Sequence, residues 1–285
     1  MFKKPALLSL SIILVLSVLV ACKKEPTAQE IVTNAVAANA KLEALKFDLN
    51  LTMALEITGG TQAGKMNMSA NATSLLDNAA KEMKMNMSMN LDVPGVGKQN
   101  AVIDTYFSGG WVYMKMPMPV VGQQWLKVEV TDEMWRQQNP VSQQLEFLNT
   151  ATEISLPGTE KVDGIDSYIV KITPDIEELA KWLKSQQQIS GLQNMDITKL
   201  DLAQMFKSFS IKEWITKDSY LFKKAEISLV FEMRPQDVGA PATAFEKMSL
   251  DVKATARFYD YNQRAPISLP PEALRAMELP TQNKP

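Results

Sequence analysis

The sequence predicts an α+β protein dominated by antiparallel β-structure, with about eleven strands and four helices. Three observations predict it. Apolar and polar residues alternate over long stretches, most regularly at Leu45, Phe47, Leu49, Leu51, Met53, Leu55 and Ile57, against Asp48, Asn50, Thr52 and Glu56. That is the period of a strand with one buried face. Turn dipeptides such as Gly59-Gly60, Asp77-Asn78, Gly109-Gly110 and Asp163-Gly164 separate successive segments, as in hairpins. Helical spacing is confined to a few short stretches. The 285 residues, 46% hydrophobic and 22% charged, show no composition break, so residues 28–272 are read as one domain.

The first 22 residues read as an address. Lys3 and Lys4 form a short positive region, and Ala6 to Ala21 runs apolar apart from Ser9, Ser11 and Ser17. That run is shorter than the roughly 20 residues of a spanning helix and fits a secretory signal. It closes on Leu19-Val20-Ala21-Cys22, which resembles the lipobox of bacterial lipoproteins. The resemblance implies cleavage after Ala21, a diacylglyceryl thioether on Cys22 and a further acyl chain on the freed amine. Two or more chains anchor stably where one is marginal. Residues 22–27 then form a lipidated tether.

Elements follow in order along the mature chain. Ala28 to Leu45 carries Ile31, Ala35, Ala38, Leu42 and Leu45 at helical spacing. After the strand at 45–57, Met66, Met68, Ala70 and Ala72 continue the alternation, and so do Met83, Met85, Met87, Met89 and Leu91. Val102 to Phe107, Trp111 to Met116 and Gln124 to Val130 complete six strands in meander order. Thr131 to Gln138 and Val141 to Asn149 read as helical. Thr152 to Val162 and Ile165 to Thr173 make a hairpin. Pro174 opens a helix ending near Gln188, and a second helix covers about Ile197 to Lys207. Phe209 to Thr216, Tyr220 to Met233 and Lys247 to Tyr259 are the last strands. Residues 273–285 form a Pro-rich tail expected to be extended.

Two compositional facts bound the chemistry. There is no histidine, which removes Ser-His-Asp and Cys-His nucleophiles and His-ligated zinc. The single cysteine leaves no disulfide framework and no Cys-rich metal site. With 30 basic and 32 acidic residues there is no cationic excess for a phosphate backbone, so no nucleic-acid partner is expected. The carboxylates Asp48, Glu56 and Asp104 fall on polar strand positions, and no spacing demands acid–base work. The expectation is a protein that is not an enzyme and needs no cofactor or metal beyond the acyl modification at Cys22.

The 17 methionines stand out, many at period two in adjacent strands. As plain packing they are the buried side of a sheet. As unbranched, flexible side chains they make a deformable apolar wall suited to a greasy ligand. Thioether coordination of Cu(I) is a third reading, weakened because the same residues must cover the apolar face. The cavity reading assigns Leu49, Leu51, Met53, Met66, Met68, Met85, Met87 and Met89 to the lining, with Leu179, Leu183 and Phe206 as lid residues. Aromatics Trp111, Tyr113, Trp125 and Trp135 read as core or rim residues rather than a carbohydrate platform.

The layout also resembles the LolA/LppX-type half-barrel lipoproteins. The phrases that carry this are Tyr106-Phe107-Ser108-Gly109-Gly110-Trp111-Val112-Tyr113, Lys161-Val162-Asp163-Gly164 leading to Tyr168-Ile169-Val170, and Trp214-Ile215-Thr216-Lys217. Tyr259-Asp260-Tyr261-Asn262 before Pro266-Ile267 fits as well. These motifs are structural and carry no catalytic signature. The resemblance implies an incomplete barrel of about eleven antiparallel strands, an N-terminal helix, and an inserted helical pair closing the concave side. It also implies a protein of the cell envelope, anchored on the extracytoplasmic side, either at the outer membrane or on the outer face of the cell membrane. Its expected role is to bind or carry a lipid or another hydrophobic molecule. The alternative is a structural or regulatory envelope lipoprotein that docks a protein partner without a ligand.

Overall fold

The structure, a computed structural model, describes residues 25–61, 63–118, 122–149, 151–177 and 202–279. Helix α1 (Ala28–Asn39) leads into β1 (Ala44–Thr58), β2 (Gly64–Asp77), β3 (Glu82–Val93), β4 (Gly97–Ser108), β5 (Trp111–Met118) and β6 (Gly122–Glu129). Helices α2 (Asp132–Gln138) and α3 (Pro140–Asn149) precede β7 (Ala151–Val162) and β8 (Ile165–Pro174). A single helical turn, α4 (Leu202–Met205), runs into β9 (Phe206–Thr216), followed by β10 (Phe222–Met233), β11 (Lys247–Tyr259) and β12 (Met277–Glu278). All twelve strands form one open sheet in the order β12-β6-β5-β4-β3-β2-β1-β11-β10-β9-β8-β7. Every pairing is antiparallel except that of β12 with β6. The sheet is a half barrel, with β1 and β11 joining the two meanders at its centre.

One face of this sheet carries the helices, and we call it the inner face. Its core lies towards one end. Leu45, Leu76, Met83 and Phe107 meet Ile31, Val32 and Ala35 of α1, Trp135 of α2, and Val141 and Leu148 of α3. Phe258, Phe222 and Ile215 extend the cluster across the other meander. The rings interlock at spacings that favour tilted and edge-on pairs, with centroids 6.2 Å apart for Phe47–Phe258 and 5.7 Å for Phe107–Trp135.

Helix α1 starts on a capping box. The Glu30 amide donates to Thr27 Oγ1 and the Thr27 amide donates to Glu30 Oε2, which satisfies two orphan donors reciprocally. The helix ends at Asn39, short of the expected Leu45. Leu45 satisfies both helical and alternating periods, and it lies at the start of β1 as an inward residue. Asn39 ties the helix end to the β9–β10 turn. Its Nδ2 donates to the Ala35 and Tyr220 carbonyls at 2.8 and 3.0 Å, and its Oδ1 accepts from the Phe222 amide at 3.1 Å.

Two expectations need correction. Phe206 is not on a lid helix; it is the first residue of β9, opposite Phe231. The Leu202–Met205 turn supplied the helical spacing, but the strand begins immediately after it. The tail is also more ordered than its proline content suggests. Ala273–Arg275 make a 3-10 turn and β12 adds to β6, with the Leu279 amide donating to the Lys127 carbonyl at 2.9 Å. The exposed β6 edge offers unpaired backbone groups, and the tail takes them up. Cys22, Leu179, Leu183 and most of the expected helix at 174–188 lie outside the described residues.

Replacing Asn39 by Ala leaves the buried Phe222 amide and Tyr220 carbonyl without partners, so a loss of about 2–3 kcal/mol is expected. Urea unfolding checks it. The midpoint should fall with the slope unchanged, and a shift within about 0.5 kcal/mol would mean that the clamp is dispensable.

Candidate functional site

Pairing register sorts the inner face into rows that run across the strands. Leu49 lies opposite Ala72 and Ala256, and Ala72 opposite Met87. Leu51 lies opposite Ala70 and Ala254, and Ala70 opposite Met89. Met53 pairs with Met68 and Val252, and Met68 with Leu91; Leu55 pairs with Met66 and Leu250. Ser74 stands between Phe47 and Met85. The structure therefore brings Leu49, Leu51, Met53, Met66, Met68, Met85, Met87 and Met89 onto one continuous surface of β1–β3. Leu229, Phe231 and Phe209 continue it across β10 and β9. Phe206 joins from the strand rather than from above, its ring 5.5 Å from Phe231 and edge-on to it.

Burial divides this face. Under the helices, Leu45, Leu76 and Met83 are fully or almost fully buried. Beyond them all eight residues from Leu49 to Met89 are only half-buried, with Met85 at the border, packed against the helix-covered core. Between them Ala70 and Ala72 are 5% and 4% exposed, because the longer Leu and Met chains on either side can fold over a methyl group. Alternating Ala with unbranched Met builds a lining that can change shape at little cost, the opposite of a β-branched core.

Besides the small hydroxyls of Ser74 and Thr105, a buried carboxyl group interrupts the inner face. Glu213 of β9 sits opposite Ala225 and Val170, two residues from Ile211 and Ile215, and is 0% exposed. Among the described residues neither carboxyl oxygen has a hydrogen-bond partner. Burial alone pushes its pKa well above the ordinary carboxylate range, since a charge there would go unsolvated. Burial therefore favours its neutral form. Sequence reasoning passed over it, although the signal existed: Phe209, Ile211, Glu213 and Ile215 share one parity, and only one is polar.

The opposite face is polar where the inner face is apolar. Across β11, β1, β2, β3 and β4 it holds a shallow, open concavity of about 520 Å³. The aromatic residues further along that face are partly covered: Tyr106 and Trp125 lie 5.9 Å apart under Ala273, Ile267 and Leu269 of the tail. Trp135 is in the inner core. Among the described residues there is no cluster of three or more His, Cys, Asp or Glu that could hold a metal ion, and no helix long and apolar enough to cross a membrane.

Residues 27–278 match the model of a family described as a family of unknown function, DUF6612. No curated protein matches the sequence. Among solved structures, the lipoprotein LppX of Mycobacterium tuberculosis is similar at 14% identity and a TM-score of 0.41, covering 86% of this chain and 100% of that one. LprF from Mycobacterium bovis gives 12% and 0.41, with 86% and 97% covered. A DUF1329 family protein from Desulfovibrio piger gives 12% and 0.25, with 85% and 95% covered. At these identities and scores the likeness is one of broad layout, and it transfers neither residues nor ligands.

Glu213 gives stability a pH dependence of known sign. The folded chain keeps a proton that the unfolded chain releases above the ordinary Glu pKa of 4.5, so this group costs stability as pH rises, by up to about 1.4 kcal/mol per pH unit. As pH rises above about 5, the wild-type melting temperature should fall relative to Glu213→Gln and Glu213→Leu, which carry no such proton. Parallel pH profiles for all three proteins would show that Glu213 is solvated.

Proposed function

The chain belongs to the DUF6612 family, and we propose that it is an extracytoplasmic, lipid-anchored binding protein that shields a hydrophobic chain on its inner face. The observation that supports this most directly is the half-buried Met and Leu surface of β1–β3, beyond the end sealed by α1–α3. A monomeric sheet that only needed a core would carry well-defined branched side chains there, packed to the density of the other end. Unbranched thioethers suit an occupant of variable shape.

In this reading the eight residues from Leu49 to Met89 hold the chain, and Phe206 closes one side from β9. Burying a dozen methylenes at about 0.8 kcal/mol each supplies roughly 10 kcal/mol before ordering costs. Selectivity then follows length and bulk rather than polar recognition. Acylation at Cys22 tethers the protein to a membrane, which is where such a ligand is exchanged. No step in this role forms or breaks a bond, so the protein works as a carrier and not as an enzyme. Without a ligand, the same surface would instead serve to dock an envelope protein.

The double variant Met85→Asp/Met87→Asp should lower affinity for a fluorescent fatty-acid probe at least tenfold, because two charges would have to be desolvated against the acyl chain. Met85→Leu/Met87→Leu should bind within about threefold of wild type, since it keeps the apolar volume. Circular dichroism checks that both variants remain folded. Equal binding by all three proteins would rule the surface out.

A further inference from the structure

We propose that the polar face of β1–β4 carries a second site, for an uncharged polyhydroxylated chain, a neutral glycan, lying across the strands. The concavity of about 520 Å³ on this face is lined by Thr52, Asn67, Ser69, Asn90, Asn100 and Lys253. Register sets most of these in a single row: Ser228 of β10 opposite Lys253 of β11, then Thr52, Ser69, Asn90 and Asn100 of β1 to β4. A parallel row runs Thr255, Asn50, Asn71 and Ser88. The strands that form these rows are about 4.8 Å apart, close to the length of one sugar unit in an extended glycan. Each strand can therefore offer an amide or hydroxyl to each successive sugar.

Three further features favour such a ligand over plain solvent. Asparagine is depleted in strands because its amide competes with the backbone, yet Asn50, Asn67, Asn71, Asn90 and Asn100 all occupy this face. Solubility alone is served as well by Thr, Lys or Glu. Among the described residues, the side chains of Thr52, Asn67, Ser69, Asn90 and Asn100 make no hydrogen bond to one another or to their neighbours, whereas Asn86 on the adjoining row is bonded to Asp104 at 2.6 Å. Their donors and acceptors are unspent. The charges at the rim cancel, Asp92 and Asp251 against Lys98 and Lys253, with Lys253 3.7 Å from Asp251. A balanced site repels neither sign and attracts neither, which fits an uncharged chain and disfavours nucleic acid or a sulfated polymer.

With no aromatic platform in the concavity, recognition rests on many weak hydrogen bonds repeated along the chain, so binding should strengthen with oligomer length. The site uses only the outer face, and its failure would leave the inner-face reading untouched. The test is isothermal titration of the full-length protein with the hexamer of N-acetylglucosamine and with cellohexaose, using heparin hexasaccharide as the charged control. The expected result is binding of a neutral hexamer that is insensitive to salt. Asn90→Ala/Asn100→Ala should weaken it at least tenfold, and Asn34→Ala on the exposed side of α1 should leave it unchanged. Because both strand positions are exposed, melting temperatures confirm folding of each variant. No binding of either neutral hexamer, equal binding by the double variant, or binding of heparin alone would overturn the proposal.

Discussion

The molecule depends on keeping the odd residues of β1 and the even residues of β2 and β11 on one side of a single sheet. Because side chains alternate with a period of two, a slip of one residue at any ladder would turn Leu49, Leu51 and Met53 to the polar face and Asn50 and Thr52 to the core. Register is therefore enforced by the hydrophobic pattern itself, most strongly in the 15-residue β1, which is paired on both sides. Every surface discussed above follows from that parity.

The same constraint is spent differently at the two ends of the sheet. Where α1, α2 and α3 cover it, large apolar groups interlock and the face is closed to solvent. Where they do not, the face is built from Met, Leu and Ala, and it is soft and incompletely covered. Asn39 holds the boundary by linking the last turn of α1 to the β9–β10 turn. Glu213 sits among the sealed residues with no hydrogen-bond partner among the described residues, and burial favours its neutral form, a standing cost that hydrophobic burial around it offsets. On the reverse side the parity that makes one face greasy makes the other a lattice of amides and hydroxyls.

Much of this was legible in the sequence, for a local reason: alternation and turn dipeptides are short-range signals, and they placed strands β1 to β11. Failures occurred where two short-range signals overlapped or where the decisive contact was distant. Leu45 fits a helix and a strand equally well, so helical spacing alone carries α1 past its end at Asn39. Phe206 continued a helical spacing that the β9–β10 pairing overrides. The parallel addition of β12 to β6 joins two residues to an edge 150 positions away, and Pro-rich flanks hide it. Parity grouped the eight candidate Met and Leu residues correctly on one face, yet it could not say which face the helices cover. Nor could it reveal the shallow basin on the polar side.

Whether the inner face holds a hydrophobic ligand can be decided by mass spectrometry of co-purified material. Residues 27–285 would be expressed so that no acyl chain can be attached at Cys22, purified without detergent, and extracted with organic solvent. The expected result is a lipid or other apolar compound at close to one equivalent per chain, reduced in Met85→Asp/Met87→Asp. A clean extract from a folded protein that afterwards takes up no fatty-acid probe would contradict it, and would turn attention to crosslinking a protein partner on the same surface.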